Sequence, residues 1–379
     1  MPSFTRPINA LRALAFALLL TAQAQAQAQA QAADYRVDTV IEGLEFPWAL
    51  GFLPGDRMLV TERPGRLRVI EPGADGRPTL RAEPVSGLPP VLASGQAGLF
   101  DVMLDPAFAD NGLLYLSFAH GSVEANHLRV VRARFDGTAL HEVTPILTTQ
   151  PAKSHTQHLG GRMALLADGT LVVGMGDGNL ERTDALRLHT HLGKLLRVHR
   201  DGRVPDDNPF VGREGARPEI YSYGHRNPQG LVYVSRDRTL YAHEHGSRGG
   251  DELNRIEAGA NYGWPITTHG VDYTGARITP YREWPGVTPP LTHWTPSIAP
   301  SGMCWYDGTL FPQWRGSLFV AALAEKSVRR VPMRNGRPGQ QDILFRELGE
   351  RIRDVRAGPD GALYLLTDSA EGRLLRVTP

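Results

Sequence analysis

A short motif that repeats along the chain constrains the fold more than any other feature of the sequence. The motif is an apolar strand, a turn containing Asp or Gly, and a second apolar strand. Its six copies are "FPWALGFLPGDRMLVTER" from Phe46, "GLFDVMLDPAFADNGLLYLSFA" from Gly98, "GRMALLADGTLVVGMGD" from Gly161, "PQGLVYVSRDRTLYAHEHG" from Pro228, "PSGMCWYDGTLFPQWRGSLFVAAL" from Pro300 and "IRDVRAGPDGALYLLTD" from Ile352. Because Asp-Gly turns supply the positive φ that a tight turn needs, each copy predicts a β-hairpin.

Six spaced hairpins predict an all-β fold, a six-bladed β-propeller with one hairpin in each blade. A β-sandwich with long loops is the alternative, but a sandwich does not require a repeated hairpin. The stretch "YRVDTVIEGL", from Tyr35, is interpreted as a strand that joins the last blade and closes the ring. Two Gly/Pro-rich segments, 201–218 and 267–296, interrupt the third and fourth repeats, and segments of this length often shape a functional cleft.

The N-terminal segment, residues 1–32, is interpreted as a secretory signal peptide with an Ala-Gln repeat. Arg6 and Arg12 precede a short apolar run, and Ala-x-Ala sites follow it. The run is too short to cross a bilayer as a stable helix, which argues against a retained anchor. We expect cleavage between Ala26 and Ala33, which leaves residues 34–379 as a single periplasmic propeller domain with no membrane span.

Charge and cysteine content exclude several classes of protein. The 41 Lys and Arg residues nearly balance the 40 Asp and Glu residues, so no basic field exists to hold nucleic acid. The only cysteine, Cys304, cannot form an intramolecular disulfide. It alternates with apolar neighbours in "GMCWY", which predicts a buried strand residue.

Familiar catalytic motifs are missing from the sequence, and polar candidates cluster instead at the boundaries of the repeats. "GMGDGN" lacks the strand-to-helix context of a dinucleotide fingerprint, and no G-x-S-x-G nucleophile elbow occurs. The histidines of "SHTQH" lack zinc-motif spacing, so that His158 is either a structural hydrogen-bonder or a base. The candidates at the boundaries are Gln96, His158, Asp177, Arg226, Asn227 and the segments 244–254, 261–265 and 350–355.

From Phe46 to Pro379 the sequence resembles the quinoprotein aldose sugar dehydrogenases related to soluble glucose dehydrogenase. The motifs that carry the resemblance are "GQAGLFDVMLDPAF", "QHLGGRM", "LGKLLRV" with "VPDDNPF", "EIYSYGHRNPQG", "EHGSRGGDELN", "NYGWP" and "RIRDVRAGPDG". These enzymes are six-bladed propellers that bind pyrroloquinoline quinone and calcium. The resemblance implies oxidation of aldose sugars at the anomeric carbon to lactones, with hydride transfer to the quinone and later electron transfer to an unidentified acceptor.

The resemblance also implies which residues bind the cofactor, a planar tricarboxylate. Arginine suits such a ligand because it is always charged and binds carboxylates bidentately. Arg351 and Arg353 would contact the cofactor, and with Ile352 between them both side chains leave the same face of a strand. The other implied cofactor contacts are Arg226, Asn227, Gln96 and, as a ring neighbour, Tyr273.

Calcium takes oxygen ligands, including backbone carbonyls. By resemblance, the cofactor-bound calcium uses main-chain oxygens of Gly246 and Ser247, where Ser247 replaces the usual proline. A separate calcium site maps onto Glu252 and Tyr262.

His158 matches the general base of the family, which removes the proton of the anomeric hydroxyl, and Asp177 is our candidate for orienting its imidazole. Arg226 would make the quinone carbonyl electrophilic together with calcium. The sequence departs from the family at Ala324, where a lysine is usual. Lys326, two residues on, is expected to share the strand face and replace that lysine.

Two other functions remain open at this stage. The first is a calcium-dependent propeller hydrolase of the lactonase type, whose metal would bind several carboxylates around the central channel. The second is a non-catalytic propeller that binds sugars or proteins. The sequence leaves the preferred sugar and the choice between monomer and homodimer undetermined.

Overall fold

In the computed structural model, which describes residues 35–379, each of the six sequence hairpins forms the first two strands of a separate antiparallel sheet. The predicted turns carry the expected backbone: Gly169 has a φ of 79° and Gly361 a φ of 82°, values that favour glycine. The predicted signal peptide lies outside the described residues.

Almost all regular structure in residues 35–379 is β-strand. The strands are β1 (Arg36–Leu44), β2 (Pro47–Leu53), β3 (Arg57–Glu62), β4 (Arg66–Pro72), β5 (Pro78–Leu80), β6 (Leu99–Leu104), β7 (Leu113–Gly121), β8 (Asn126–Phe135), β9 (Leu140–Thr148), β10 (Met163–Leu165), β11 (Leu171–Met175), β12 (Lys194–Val198), β13 (Ile220–Tyr223), β14 (Pro228–Val234), β15 (Thr239–Glu244), β16 (Asp251–Ile256), β17 (Thr292–Trp294), β18 (Pro300–Tyr306), β19 (Ser317–Ala322), β20 (Ser327–Arg334), β21 (Arg337–Pro338), β22 (Asp342–Leu344), β23 (Ile352–Ala357), β24 (Leu363–Thr367) and β25 (Gly372–Thr378). The helices are α1 (Phe108–Asn111) and the 3₁₀ turns Arg182–Leu186, Pro312–Trp314 and Arg346–Leu348. Within this part of the chain, none of the helices has the length and apolar character needed to cross a membrane.

The sheets are the blades of a propeller, which confirms the predicted fold class. Blades 1 to 4 are β2–β5, β6–β9, β10–β13 and β14–β17, blade 5 is β18–β21 with β22 paired to β20, and blade 6 is β23–β24–β25–β1. The N-terminal strand β1 pairs with the C-terminal strand β25, with Arg36 opposite Thr378. The first described strand therefore closes the ring, as predicted, and six separate sheets exclude the sandwich.

The core lies between blades, not within any one of them. Every residue of β11 is buried, because both faces of its sheet are covered by neighbouring blades. The largest apolar cluster runs through blades 1, 2 and 3 and includes Leu67, Leu116 and Val173. Cys304 is 7% exposed in β18, as its apolar neighbours predicted.

The first strand of each blade, its leading strand, faces the axis of the ring. The leading strands contact one another in the pairs β2–β6, β10–β14, β14–β18, β18–β23 and β2–β23, and the Met163 N–H of β10 donates to Asp101 Oδ2 of β6 at 3.0 Å. Because one motif generates every blade, all leading strands begin at the same end of the ring. We call this end the upper face.

Charged residues fill the space between the leading strands of blades 2, 3 and 6. Arg162 Nη2 lies 3.0 Å from Asp354 Oδ1, and Arg356 lies 3.0 Å from Asp101 and 2.8 Å from Asp354. The two arginines and two aspartates, which we call the channel network, neutralise one another in a buried setting.

The two longest interruptions fall where the sequence predicted them. Segment 201–218 lies between β12 and β13, and segment 267–296 lies mostly between β16 and β17. The segment "RTDALRLHTHLGKLLRV" begins with one 3₁₀ turn, Arg182–Leu186, and ends in β12.

Candidate active site

A cavity of about 250 Å³ opens at the centre of the upper face. Residues at the starts of all six leading strands line it: Trp48, Gln96, Gly160, Asn227, Ala299 and Arg351. Residues that directly follow the second strand of a blade also line it: Arg63, His245, Leu323 and Asp368. Antiparallel hairpins bring these two kinds of position to the same end of the ring, so that a residue at a repeat boundary becomes a cavity residue.

Arg351 and Arg353 point into this cavity and share one carboxylate. Asp368 accepts from Arg351 Nη2 at 2.8 Å and from Arg353 Nη2 at 3.0 Å. Arg353 is buried, whereas the Arg351 side chain is 46% exposed. Both side chains therefore reach the same cavity and Asp368 orients both guanidinium groups, although Arg351 directly precedes β23 and the register of that strand shifts between Ile352 and Asp354.

A histidine–aspartate pair lies beside the cavity. His158 Nδ1 is 2.7 Å from Asp177 Oδ1, and both side chains are buried. The His158 N–H donates to Gln96 Oε1 at 3.2 Å. His158 has a φ of 51°, and the next two residues, Leu159 and Gly160, line the cavity.

The hydrogen bonds of Asp177 define the tautomer of His158. Burial raises the pKa of Asp177, but the His158 hydrogen bond and the charge of Arg226 outweigh it and hold that pKa below its usual value. The ionised carboxylate accepts from Asn179 N at 2.8 Å and from Trp264 Nε1 at 2.7 Å. It must therefore accept from His158 Nδ1 as well, which leaves the lone pair on Nε2.

Arg226 and Asn227 are neighbours in the sequence but line different cavities. Asn227 lines the central cavity, whereas Arg226 lines a smaller one beside it. The Arg226 guanidinium donates to the carbonyl oxygens of His245, at 3.3 Å, and Gly246, and lies 5.3 Å from the Trp264 ring centre. Trp264 thus contacts both Arg226 and Asp177, and connects the arginine to the histidine–aspartate pair.

The four candidate metal ligands lie around this smaller cavity or next to it. Gly246, Glu252 and Tyr262 line it, together with Glu244. Burial, and then the charge of Glu244, raise the pKa of Glu252 well above its usual range. Ser247 is buried and its Oγ has no hydrogen-bond partner.

The turn at Ser247 is held in place without the proline usual in the family. Arg248 N–H donates to Val271 O at 2.9 Å, and Ser247 and Gly249 form a β-bridge. A Cβ on Gly246 would lie 2.2 Å from Gly249 O, so that only glycine fits there. Within residues 35–379, no three His, Cys, Asp or Glu side chains form a metal-binding group, so a cation here would need carbonyl oxygens in addition to carboxylates.

Two residues, Tyr273 and Lys326, lie elsewhere than the sequence analysis predicted. The Tyr273 side chain is 65% exposed and is not part of the lining of the central cavity. The expectation for Lys326 is wrong: Ala324 and Lys326 lie in a turn between β19 and β20, and Lys326 has a φ of 54°. Alternation of side chains holds only within a strand, so the two residues share no strand face.

Several site residues escaped the sequence reasoning. Arg63, Trp48 and Asp368 line the central cavity, as does His245, which the candidate segment 244–254 contained without singling it out. Burial lowers the pKa of His245 to about 3, and its Nε2 lies 2.7 Å from Pro300 O. The signal that identifies three of them is their position, since Arg63, His245 and Asp368 directly follow the second strand of a repeat.

We expect the acid limb of kcat/KM to lie below pH 6.5. Burial lowers the pKa of His158 from its usual 6.5, although the Asp177 hydrogen bond acts in the opposite direction. The role of base that the resemblance implies for His158 requires the neutral imidazole, so activity should persist as the pH falls until it reaches this lowered pKa. A pH profile of kcat/KM with saturating cofactor measures it, and an acid limb at or above pH 6.5 would contradict the expectation.

Fold and site together define a class of protein: a six-bladed propeller enzyme with a cationic cleft beside a buried histidine–aspartate pair. The chain matches the family model described as glucose/sorbosone dehydrogenase over residues 44–376. The chain therefore belongs to the glucose/sorbosone dehydrogenase family, and both the resemblance and the predicted enzyme class, an oxidoreductase, are confirmed.

Three relatives illustrate the family. The aldose sugar dehydrogenase of Escherichia coli is 39% identical over 353 residues, which cover 92% of this chain and 94% of the relative, and its apo crystal structure superposes with a TM-score of 0.87 over 91% of this chain and 99% of that one. The PQQ-bound aldose sugar dehydrogenase of Streptomyces coelicolor is 29% identical, with a TM-score of 0.73 over 91% of this chain and 98% of that one. Quinoprotein glucose dehydrogenase B of Acinetobacter calcoaceticus is 27% identical over 413 residues, 87% of this chain and 85% of the relative.

Proposed function

We propose that this protein oxidises aldose sugars at the anomeric carbon to lactones, using pyrroloquinoline quinone and calcium. The observation that carries the proposal is the composition of the central cavity. Three arginines, Arg63, Arg351 and Arg353, line the cavity together with one carboxylate, Asp368, and the buried His158 lies beside it.

The residues of the cavity fit a planar tricarboxylate. Arg351 and Arg353 present guanidinium groups, which bind carboxylates bidentately. Gln96 and Asn227 add amide groups for the remaining polar atoms, and the rings of Trp48 and Phe100, 5.3 Å apart, give the cavity an aromatic wall. These residues would hold the cofactor, with Arg226 at its edge.

The neighbouring small cavity fits calcium in its donor chemistry. Glu244 and Glu252 are two carboxylates in a buried site, and a divalent cation would relieve the repulsion between them. Tyr262, the other residue implied for this second site, lines the same cavity, and the carbonyl oxygens of Gly246 and Ser247 would serve the cofactor-bound ion. Gly246 O already accepts from Arg226, but a carbonyl has two lone pairs and can serve both.

When bound, the quinone supplies the two-electron acceptor and calcium a Lewis acid, neither of which side chains provide. His158 Nε2 takes the proton of the anomeric hydroxyl. Asp177 holds the imidazole in the tautomer with Nδ1 protonated and stabilises the imidazolium that forms. Arg226, which contacts Trp264 of the same network, would place a positive charge near the reacting atoms.

Titration of the apoprotein with pyrroloquinoline quinone, with and without calcium, tests the proposal. We expect a saturable change in quinone absorbance that requires calcium, and dye reduction by aldoses only when both are present. An apoprotein that gains no quinone absorbance, or dye reduction that persists without the cofactor, would reject the proposed function.

The hydrolase alternative finds little support in the channel. A lactonase-like calcium site needs several free carboxylates around the axis, whereas Asp101 and Asp354 are each paired with an arginine of the channel network. A non-catalytic binding role would not explain why His158 and Asp177 form a buried, hydrogen-bonded pair beside the cavity.

We infer a periplasmic location from the N-terminal sequence, Arg6 to Ala33, and an electron acceptor that the sequence does not identify. The protein is proposed to act as a monomer or homodimer.

A further inference from the structure

Arg63 lines the central cavity, but it is not among the residues that the resemblance implies as cofactor contacts. It directly follows β3, as His245, Leu323 and Asp368 follow the second strands of blades 4, 5 and 6. Blade 1 therefore contributes a guanidinium group to the central cavity.

The backbone and side chain of Arg63 are held in place. Its N–H donates to Phe46 O at 3.0 Å and its carbonyl accepts from Leu99 N at 3.0 Å. Its guanidinium carbon lies 4.5 Å from the Phe46 ring centre. A Cβ on Gly98 would lie 2.2 Å from Arg63 O and 2.4 Å from Arg63 Cγ, so that glycine alone leaves room for this packing.

The charge of Arg63 differs from that of its neighbours in having no counter-ion. Within residues 35–379, no carboxylate forms an ion pair with Arg63, whereas Arg351 and Arg353 share Asp368. A cation–π contact with Phe46 orients the guanidinium but leaves its charge in place. Burial lowers the pKa of Arg353, and the charges of Arg351 and Arg63 add to that effect. The cavity thus carries excess positive charge that an anion would neutralise.

Blade 6 lies between blades 5 and 1 in the ring, since β23 contacts both β18 and β2. On the blade 5 side the cavity is lined by uncharged Leu323, and Ala324, where the family usually has lysine, is exposed and outside the lining. On the blade 1 side it is lined by Arg63. The cation Arg63 therefore lies on the blade 1 side of Arg353, whereas the missing lysine would lie on the blade 5 side.

We propose that Arg63 binds a carboxylate of the acidic cofactor and supplies from blade 1 the positive charge that blade 5 lacks. This inference rests on the proposed function. It assigns a cofactor contact to a residue that the family motifs did not point to.

The test measures binding, not turnover. Wild type, Arg63→Gln and Arg63→Lys are titrated with pyrroloquinoline quinone and with its uncharged trimethyl ester, in excess calcium, by quenching of tryptophan fluorescence. Arg77→Gln, an 87% exposed arginine of the same blade, is the matched control. Loss of one charge-assisted contact should raise the Kd of Arg63→Gln for the acid roughly 10- to 100-fold, with a smaller rise for Arg63→Lys and none for the control.

The trimethyl ester separates a charge effect from a packing effect. Because the ester offers Arg63 no carboxylate, Arg63→Gln should bind it as wild type does. A Kd of Arg63→Gln for the acid within about twofold of wild type would overturn the inference. Failure of wild type to bind the acid would instead reject the proposed function itself. If the Gln variant does not fold, Arg63→Met, which keeps the Cγ that packs on Gly98, replaces it with the same expected outcome.

Discussion

Replacing His158 with alanine is expected to lower kcat by about 10²–10⁴-fold, the usual contribution of a general base. The reason is the geometry of the pair with Asp177, which leaves the lone pair of the imidazole on Nε2. The binding of pyrroloquinoline quinone should change little, because the cations that hold it belong to other blades. Steady-state dye reduction gives kcat, and the fluorescence titration gives the Kd.

His189, an exposed histidine, offers the control His189→Ala, which should leave kcat unchanged. His158→Asn is a second variant, since asparagine tolerates the positive φ of 51° at this position better than alanine does. A near-normal kcat in either His158 variant would remove this residue from the role of base.

Replacing Arg162 with methionine is expected to lower the free energy of unfolding by about 3–5 kcal/mol, the range for breaking a buried ion pair. Arg162 is 3% exposed and lies 3.0 Å from Asp354 and 3.5 Å from Asp101. Its guanidinium also donates to Gln229 O at 3.1 Å and stacks 3.9 Å from the Trp48 ring centre. The variant leaves two buried carboxylates with Arg356 as their only ion-pair partner among the described residues.

Chemical denaturation monitored by tryptophan fluorescence measures this loss. The matched control is Arg203→Met, whose 77% exposed side chain pairs with Asp201 at the surface. Its free energy of unfolding should stay within about 0.5 kcal/mol of wild type. A loss in Arg162→Met no larger than that of the control would show that the channel network does not stabilise the ring.

The number of blades could be read from the sequence because hairpins are local. A run such as "ALLADGTLVV" carries both strands and the turn between them, and Gly169 adopts the positive φ that the turn requires. Closure by β1 was also predictable, since a leftover strand at one end of a repeat array must pair somewhere.

The failures have a different origin. Lys326 was placed on a strand face, but the strand β19 ends at Ala322, and the boundary of an element is the least predictable part of it. Asp368 was missed because a lone aspartate carries no motif. Its place after the second strand of a repeat marks it as a cavity residue, but only its distances to Arg351 and Arg353 reveal that it orients both.

By itself, the sequence determined the hairpin that opens each blade, the count of blades and the repeat boundaries where the polar residues lie, because neighbouring residues encode turns and alternation. Only the tertiary structure decided which boundaries meet. Arg63 and Arg353 are far apart along the chain, and ring closure brings them to one cavity. Phe46 and Arg63, by contrast, belong to one hairpin, in which Pro47 pairs with Glu62 and the Phe46 ring lies against the Arg63 guanidinium. The tertiary structure also sets the balance of charge at the site, since an arginine is neutralised or left available according to which carboxylates lie within a few ångströms of it.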